Sequence, residues 1–335
     1  MEIIIKIIFC FVYLIIIIKF INKYHSFINS IPPIKLCLCT LGKAENRYIR
    51  EFISYYKNYG VDKIFLYDNN DENGEHFEEI INDYIKEGFV QIYDWRGKNR
   101  EQLNILNHCY LNNYEKFDWL MFYDLDEYIN LTSYSNIKDF LNQQKFKRCQ
   151  VIYLNWIIHT DNNLMYYDNR TLHERFPIIE PNAKNKITKE YMPVKSILKG
   201  HIPNIKINCL HLLNANSTLK SCNGFGDKPK LILHTMKPDF NYYFIDHYYF
   251  KSLDEFTYKL NRGSAKTYNE SKIKLLKVKR YILMNEINNN KLNYLANKTK
   301  INLTEVIEKL NKPKKKHSKS IFRFFKLFYH KFKLY

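Results

Sequence analysis

The chain has 335 residues, of which 46% are hydrophobic and 16% aromatic. This length allows one large core or two smaller ones, and the apolar content is too high for a disordered chain, so a small stapled module and a disordered protein are both excluded. The formal charge of +18 suits a polyanionic partner such as nucleic acid, anionic lipid or a phosphorylated substrate. Charge by itself does not choose among these partners.

The N-terminal segment is the first predicted element. Ile3 to Ile21 is apolar except for Lys6 and Lys19, close to the roughly 20 residues that a membrane-spanning helix needs. We expect a single-pass membrane anchor over residues 1–22, with a cleaved signal peptide as the alternative, and a linker over residues 23–33. Lysines on the C-terminal flank favour the cytoplasmic face of a membrane. In a eukaryote, such an anchor favours the Golgi or endoplasmic reticulum.

Strand and helix patterns then alternate. Short apolar runs between turn residues predict strands, and apolar residues at helical spacing predict helices. The predicted order is strand 34–40, helix 44–59, strand 61–67, helix 76–86, strand 89–93, helix 99–113 and strand 119–123. This order predicts an α/β fold with a mostly parallel sheet and helices on both faces, in which ligands bind beyond the carboxyl ends of the strands.

The pattern becomes mixed beyond residue 130, with predicted strands at 150–156, 195–198 and 231–234 and a helix at 252–262. We expect one folded domain, followed by peripheral helices and a basic tail in which aromatic residues alternate with lysines. The tail is typical of an amphipathic segment on a membrane surface, or of a solvated tail. The predicted bounds are 34–270 for the domain, with halves 34–130 and 131–270, then 271–311 for the helices and 312–335 for the tail.

Two carboxylates follow the fourth predicted strand. Asp124 and Asp126 are separated by one residue, with Glu127 next to them. Mg²⁺ and Mn²⁺ prefer carboxylate and phosphate oxygens, and a metal held here can neutralise the charge of a departing diphosphate. Alternatively, an Asp in this position caps a following helix. The placement after a buried strand favours a metal site.

Four segments together resemble glycosyltransferase family 92 and its neighbours in the family 2-like group, which have the GT-A fold. They span residues 34 to 265 in order. The resemblance is carried by Phe122–Tyr128, by Lys43–Asn46 with Tyr59–Asn69, by Arg100–Gln102 with Asn107–Cys109, and by Asp246–Ser252 with Glu255, Phe256, Lys259, Arg262 and Gly263. Asp246 and Ala44 stand where the family usually has Asn, and residues 182–226 match the family weakly.

This resemblance implies a metal-dependent transfer of a sugar, with inversion, from a nucleotide-diphosphate donor to a glycan or other hydroxyl acceptor bound by residues 131–270. Uridine diphosphate is the implied carrier, and galactose is a candidate sugar. The implied metal ligands for Mn²⁺ or Mg²⁺ are Asp124, Asp126 and His247. The implied nucleotide-sugar contacts are Thr40, Glu45, Asp68, Asn69, Gln102, Asp124, Lys251, Lys259 and Arg262.

Several of these residues have ordinary structural alternatives. Glu45 can favour a helix N-terminus, Asp68 and Asn69 can be turn residues, and His247 can be a core histidine. A general base must take the proton from the acceptor hydroxyl, and the sequence offers Glu174 and Asp246 without deciding between them.

The competing functions are a nucleotidyltransferase and a non-catalytic sugar- or polyanion-binding membrane protein. A nucleotidyltransferase usually has a glycine-rich loop after its first strand, whereas residues 40–45 of this chain contain a single glycine. A polyanion-binding protein gains nothing from carboxylates in its cleft, so nucleic acid is not an expected partner. Among the cysteines, Cys37 and Cys39 are predicted core residues. A lumenal location would permit disulfides among Cys109, Cys149, Cys209 and Cys222.

Overall fold

The computed structural model describes residues 13–20, 33–179, 192–209, 211, 219–232, 235–236, 242–262, 270–304 and 306–307. The chain divides into two units, Met1–Lys35 and Leu36–Tyr335. In the first unit, residues 13–20 are helical and exposed. None of the described helices is long and apolar enough to cross a membrane. The rest of the predicted anchor, and the predicted basic tail at 312–335, lie outside the described residues.

The second unit is built on one large sheet. Its strands are β1 (Leu36–Gly42), β2 (Lys63–Asp68), β3 (Val90–Asp94), β4 (Trp119–Phe122), β5 (Glu127–Leu131), β6 (Val151–Ile158), β7 (Met192–Lys199), β8 (Ser221–Asn223), β9 (Leu231–Ile232), β10 (Thr235–Met236) and β11 (Tyr243–His247). Its helices are α1 (Asn46–Asn58), α2 (Glu78–Lys86), α3 (Gln102–Asn113), α4 (Ile137–Leu141), α5 (Leu172–Arg175), α6 (Leu253–Asn261), α7 (Glu270–Met284) and α8 (Asn289–Thr299), with a 3₁₀ turn at Gln144–Phe146.

The sheet is mixed, so the prediction of a mostly parallel sheet is wrong for its second half. The order is β3-β2-β1-β4-β7-β6-β11-β5. Strands β1 to β4 pair in parallel as predicted. Strand β7 is antiparallel to both β4 and β6, and β5 is antiparallel to β11. The antiparallel strands come from the region of mixed pattern, where no run of crossover helices forces parallel pairing.

The parallel half is covered by α3 on one face. Ile105, Leu106 and Cys109 of α3 are buried with Cys39 of β1 and Phe122 of β4 in one hydrophobic cluster. Alternation along a strand places Leu36, Leu38 and Thr40 on the other face of β1. The buried aromatic residues of helix α1 lie outside this cluster. The Tyr56 ring of α1 is 6.2 Å from the ring of Tyr128, which follows Glu127 at the start of β5. These contacts fix the loop between β4 and β5, which carries Asp124 and Asp126.

The C-terminal helices belong to the core rather than lying loosely beside it. Tyr281 of α7 stacks on Phe256 of α6 with ring centroids 4.6 Å apart. Lys291 of α8 forms a buried ion pair with Asp161, which follows β6, at 2.7 Å. The last two described helices therefore hold α6 and the end of β6 in place.

Two disulfides are present in the described residues, Cys39–Cys109 and Cys149–Cys222. The second joins two of the four cysteines for which pairing was expected. The first is a correction, because Cys39 was predicted to be a simple core residue. Cys39 on β1 and Cys109 on α3 face each other across the packed interface of strand and helix, with Cα atoms 6.3 Å apart, within the range for a disulfide. Cys37 is buried and unbridged.

Candidate active site

The candidate site forms where β4 and β11 end. Asp126 follows β4, and His247 is the last residue of β11. The His247 Nε2 atom lies 3.5 Å from Asp126 Oδ1, and both side chains are buried. The backbone N–H of Tyr248 donates to the Asp126 carbonyl at 2.9 Å, which joins the two segments. The structure therefore brings together two of the three predicted metal ligands from positions far apart in the chain.

Burial and neighbouring charges set the ionisation of this pair. Burial by itself raises the pKa of Asp126, but the Lys259 ammonium and His247 outweigh it and hold that pKa well below its ordinary value. Burial lowers the pKa of His247, and the Asp126 carboxylate only partly opposes this. Asp126 is therefore a carboxylate and His247 a neutral imidazole at pH 7, the forms that bind a metal ion.

Asp124 and Asp126 are each in contact with a lysine. Lys259 Nζ lies 2.5 Å from Asp126 Oδ2. Lys195 Nζ lies 2.9 Å from Asp124 Oδ2 and 3.0 Å from Glu127 Oε2. Burial by itself lowers the pKa of Lys195, but Asp124 and Glu127 outweigh it, so Lys195 stays charged.

Lys195 is the site residue that the sequence analysis missed. It lies on β7, is only 3% exposed, and was included there only as the first residue of a predicted strand. The available signal was a lysine next to Val194 in a predicted buried strand, because a charged residue inside a buried strand requires a partner.

Glu127 stabilises the loop between β4 and β5 through a side-chain hydrogen bond. Its Oε2 atom accepts the backbone N–H of Asp124 at 3.0 Å. Burial raises the pKa of Glu127 well above its ordinary value, although Lys195 opposes the shift. Gln102, at the start of α3, donates from Nε2 to Asp124 Oδ1 at 3.2 Å, so this predicted contact residue reaches the site through Asp124.

A second cluster of charged side chains surrounds Glu45. Arg262, at the end of α6, is 3.2 Å from Glu45 Oε1, and Lys251 Nζ is 3.8 Å from the same atom. The Lys251 ammonium also lies 3.8 Å from the centroid of the Tyr48 ring. Lys251 has a positive φ of 56°, an uncommon conformation for a residue with a side chain. Burial lowers the pKa of Lys251, and the carboxylates of Asp126 and Glu45 only partly oppose this shift.

The predicted nucleotide contacts lie at the ends of β1 and β2. Asp68 is buried and forms an ion pair with Arg96 at 2.7 Å. The Asn69 side-chain amide donates to the carbonyls of Trp95 and Lys98, so it holds the following loop. Thr40 Oγ1 is buried with no hydrogen-bond partner.

A pocket of about 400 Å³ opens beside these strand ends. It lies between the loop after β1, the loop after β2 and the end of α6. Its lining includes Lys43, Asn70, Asp71, Tyr258 and Arg262. Arg262 connects the pocket to Glu45, since it lines the pocket and its guanidinium donates to Glu45 Oε1 at 3.2 Å.

The two candidate bases have other partners. Asp246 Oδ1 lies 2.7 Å from His159 Nε2, and its Oδ2 accepts from Asn130 at 3.0 Å. Because side chains alternate along β11, Asp246 points to the face opposite His247. Glu174 is exposed and accepts from Thr171 in the capping box of α5. Neither carboxylate contacts Asp124 or Asp126.

A comparison with known protein families shows to which family this chain belongs. The model of glycosyltransferase family 92 matches residues 33–274. The chain belongs to glycosyltransferase family 92. It is similar to family 92 proteins of Oryza sativa subsp. japonica, 30% identical over 113 residues, and of Ricinus communis, 27% identical over 113 residues.

These family 92 alignments are partial. They cover 33% of this chain and 19% and 20% of the two plant proteins, so the chain matches about a fifth of the length of each relative. Among solved structures, the chain is similar to residues 1–349 of S. aureus TarS, at 13% identity and a TM-score of 0.34, over 79% of this chain and 70% of that one. A TM-score this low does not establish a shared fold.

The residues of this candidate site supply two ligands that fit a divalent cation. Asp126 offers an oxygen, and neutral His247 a nitrogen whose ring partner, Nδ1, is buried without a hydrogen bond. Within the part of the chain that the structure describes, no three His, Cys, Asp or Glu side chains are arranged as a complete metal-binding group. Two protein ligands suffice where substrate phosphates supply the others, as is usual for Mg²⁺ at phosphate sites.

Proposed function

We propose that this chain is a glycosyltransferase that moves a sugar from a nucleotide-diphosphate donor to a hydroxyl group of a glycan or another acceptor. Membership of family 92 supports the reaction class. The observation that carries the proposal is the contact of Asp126 with His247 and Lys259 at the ends of β4 and β11. A GT-A fold and inversion at the sugar carbon are further parts of this proposal.

The chemistry of such a transfer is the departure of a nucleoside diphosphate, which carries several negative charges. Lys259, Lys251 and Arg262 are cationic side chains close to Asp126 and can bind phosphate oxygens. Mn²⁺ or Mg²⁺ held by Asp126 and His247, with Asp124 beside them, would neutralise the charge that develops on the diphosphate. Gln102 and Lys195 keep the Asp124 carboxylate in a fixed orientation.

The nucleotide is proposed to lie across the ends of β1 and β2. Thr40 has an unused hydroxyl group there, and Glu45 and Asp68 have carboxylates that can accept from ribose or base. Asp68 is bound by Arg96, so a nucleotide would share this carboxylate with the guanidinium. Asn69 is proposed to act by shaping the loop, since its amide group already has two partners. Uridine is the proposed base, and galactose a candidate sugar.

Neither base candidate contacts Asp124 or Asp126, so both Glu174 and Asp246 are to be tested, and Asp246 lies on the face of β11 opposite His247. It is buried and paired with His159, whose Nδ1 lies 2.6 Å from the Phe176 carbonyl. Since a carbonyl only accepts, Nδ1 carries a proton, and His159 Nε2 faces the Asp246 carboxyl group at 2.7 Å. An acid–imidazole pair of this kind can pass a proton. Glu174, in contrast, is exposed and completes a helix cap.

The two disulfides favour an oxidising compartment. We therefore propose the lumen of the Golgi or endoplasmic reticulum if the source is a eukaryote. The apolar N-terminal sequence supports a membrane anchor as part of the same proposal. In this setting the acceptor is a glycan or another hydroxyl compound of the lumen.

The test is binding and transfer by the full chain with a panel of nucleotide sugars, with and without Mn²⁺. We expect one donor to bind in a metal-dependent way, and Asp126→Asn to lower transfer by roughly a hundredfold or more, because a charged ligand is lost. Asp139→Asn, on the exposed surface of α4, is the matched control and should behave as wild type. A folded wild-type chain that binds no donor would contradict the transferase proposal. Full activity of Asp126→Asn would remove the metal assignment.

A further inference from the structure

The site has as many cationic side chains as carboxyl groups. Among the described residues, four carboxyl groups and four cationic side chains contact or face one another there. They are Asp124, Asp126, Glu127 and Glu45 with Lys195, Lys259, Lys251 and Arg262. A site built to hold a divalent cation by itself normally has an excess of carboxylates, since ligand charge sets the affinity. This site has no such excess.

The two lysines that contact the aspartates differ in how firmly they are held. Lys195 is 3% exposed and lies between two carboxylates, at 2.9 and 3.0 Å. The Lys259 side chain is 21% exposed, and Asp126 is the carboxylate that it contacts. Beyond that, its ammonium lies 4.8 Å from the centroid of the Tyr249 ring. Lys259 can therefore leave its carboxylate with less rearrangement than Lys195.

Lys259 also lies where it would oppose a bound metal. Its ammonium contacts Oδ2 of the same carboxylate whose Oδ1 faces His247. Two cations on one buried carboxylate repel each other, because a buried site screens charge weakly. A nucleoside diphosphate removes this conflict, since its phosphate oxygens offer Lys259 another anionic partner.

We propose that Lys259 pairs with Asp126 until donor and divalent cation bind together, and that its ammonium then moves to the diphosphate of the donor. Lys259 is thus a positioning residue that makes metal affinity depend on the presence of a nucleoside diphosphate. This inference rests on the proposed function, and it adds an order of binding. The cation and the diphosphate enter as one unit, and the cation alone binds weakly.

The test measures Mn²⁺ bound by the folded full chain in equilibrium dialysis, where metal chelated by free diphosphate is equal on both sides. Each protein is measured alone, with uridine diphosphate, with guanosine diphosphate and with inorganic pyrophosphate. The variants are Lys259→Gln and Asp126→Asn. Lys57→Gln, which removes a lysine from an exposed ion pair with Glu87, is the matched control.

In wild type, at least one diphosphate should tighten Mn²⁺ binding by about tenfold or more. Lys259→Gln should bind Mn²⁺ alone about tenfold more tightly than wild type and lose most of the dependence on diphosphate. Lys57→Gln should match wild type. Asp126→Asn should lose Mn²⁺ binding in every condition.

Equal binding of Mn²⁺ alone by wild type and Lys259→Gln would overturn the inference. If Asp126→Asn still abolishes Mn²⁺ binding in that case, the assignment of the metal site stands. Absence of Mn²⁺ binding by folded wild type, with or without diphosphate, would reject the metal site itself, and the inference with it. If that protein still transfers sugar in the presence of a chelator, the transferase proposal stands without a metal.

Discussion

Lys195 and Asp124 are 71 positions apart in the chain, yet the lysine ammonium lies 2.9 Å from Asp124 Oδ2. The contact exists because β7 pairs with β4 in antiparallel orientation, with Leu198 opposite Leu120 and Ile197 opposite Met121. The end of β4 that leads to Asp124 therefore runs alongside the start of β7. One antiparallel strand thus supplies a buried cation to a loop otherwise rich in acids.

The first prediction concerns this cation. We expect Lys195→Met to lower the free energy of unfolding by about 3–5 kcal/mol, because Asp124 and Glu127 are left without their buried partner. Urea unfolding followed by circular dichroism measures the loss. Lys57→Met, in an exposed pair, should cost no more than about 1 kcal/mol. A loss for Lys195→Met as small as that of the control would show that the buried pair contributes little.

The second prediction separates the two candidate bases. If Asp246 accepts the proton, Asp246→Asn should lower kcat by about 100- to 10,000-fold with little change in donor affinity. Glu174→Gln should change kcat less than about twofold, because Glu174 is exposed and its contacts are with the α5 cap. Both are checked by steady-state kinetics on variants whose unfolding is measured in parallel. A large loss of kcat in Glu174→Gln alone would reverse the assignment.

The third prediction concerns stability in acid. Burial by itself raises the pKa of Glu255, but Arg175, 2.7 Å away, outweighs it, so the folded pKa lies below the ordinary value of 4.5. Between these two values the unfolded chain binds more protons than the folded one. The contribution of Glu255 to the free energy of unfolding is therefore present above pH 4.5 and lost as the pH falls through the folded pKa.

Urea unfolding from pH 7 to pH 3 checks this, and Glu255→Gln should show a shallower decline below about pH 4.5 than wild type. Glu87→Gln, from a surface ion pair, should keep the wild-type decline. If Glu255→Gln loses stability in acid as steeply as wild type does, the Arg175 pair is not a source of the pH dependence.

The fourth prediction concerns the disulfide of the second half. Cys149 and Cys222 are separated by 73 positions, and removing the bridge with Cys149→Ser should cost about 2–4 kcal/mol. Cys209→Ser is the control because Cys209 lies outside both disulfides. The midpoints of urea unfolding compare the two variants. Equal midpoints for Cys149→Ser and wild type would mean that the bridge does not stabilise the folded state.

The first half of the fold is predictable from sequence because its elements are set by local patterns. The strands and helices from β1 to β4 lie within a few residues of their predicted bounds, and Asp124 follows β4 as expected. Apolar periodicity and turn residues are local signals, and a right-handed parallel arrangement follows from their order. In this region, local pattern and overall topology agree.

The second half is less predictable because long-range pairing decides it. Strand β11, which carries Asp246 and His247, lies in an aromatic run whose periodicity does not separate strand from loop. Strand β5 follows Asp126 directly and has no turn signal of its own. The partners of Lys195 and Cys39 depend on which strands and helices become neighbours. Only the family resemblance pointed to His247.

The packing of Trp156 against His247, with ring centroids 4.3 Å apart, gives the site an optical reporter of its own. Indole fluorescence responds to the charge of a neighbouring imidazole and is quenched by paramagnetic ions. The sequence has three tryptophans, so replacing Trp95 and Trp119 with Phe would leave Trp156 as the single indole, which can be excited selectively over the tyrosines. Its emission would follow ligand arrival on a stopped-flow time scale, without a label and before any product forms.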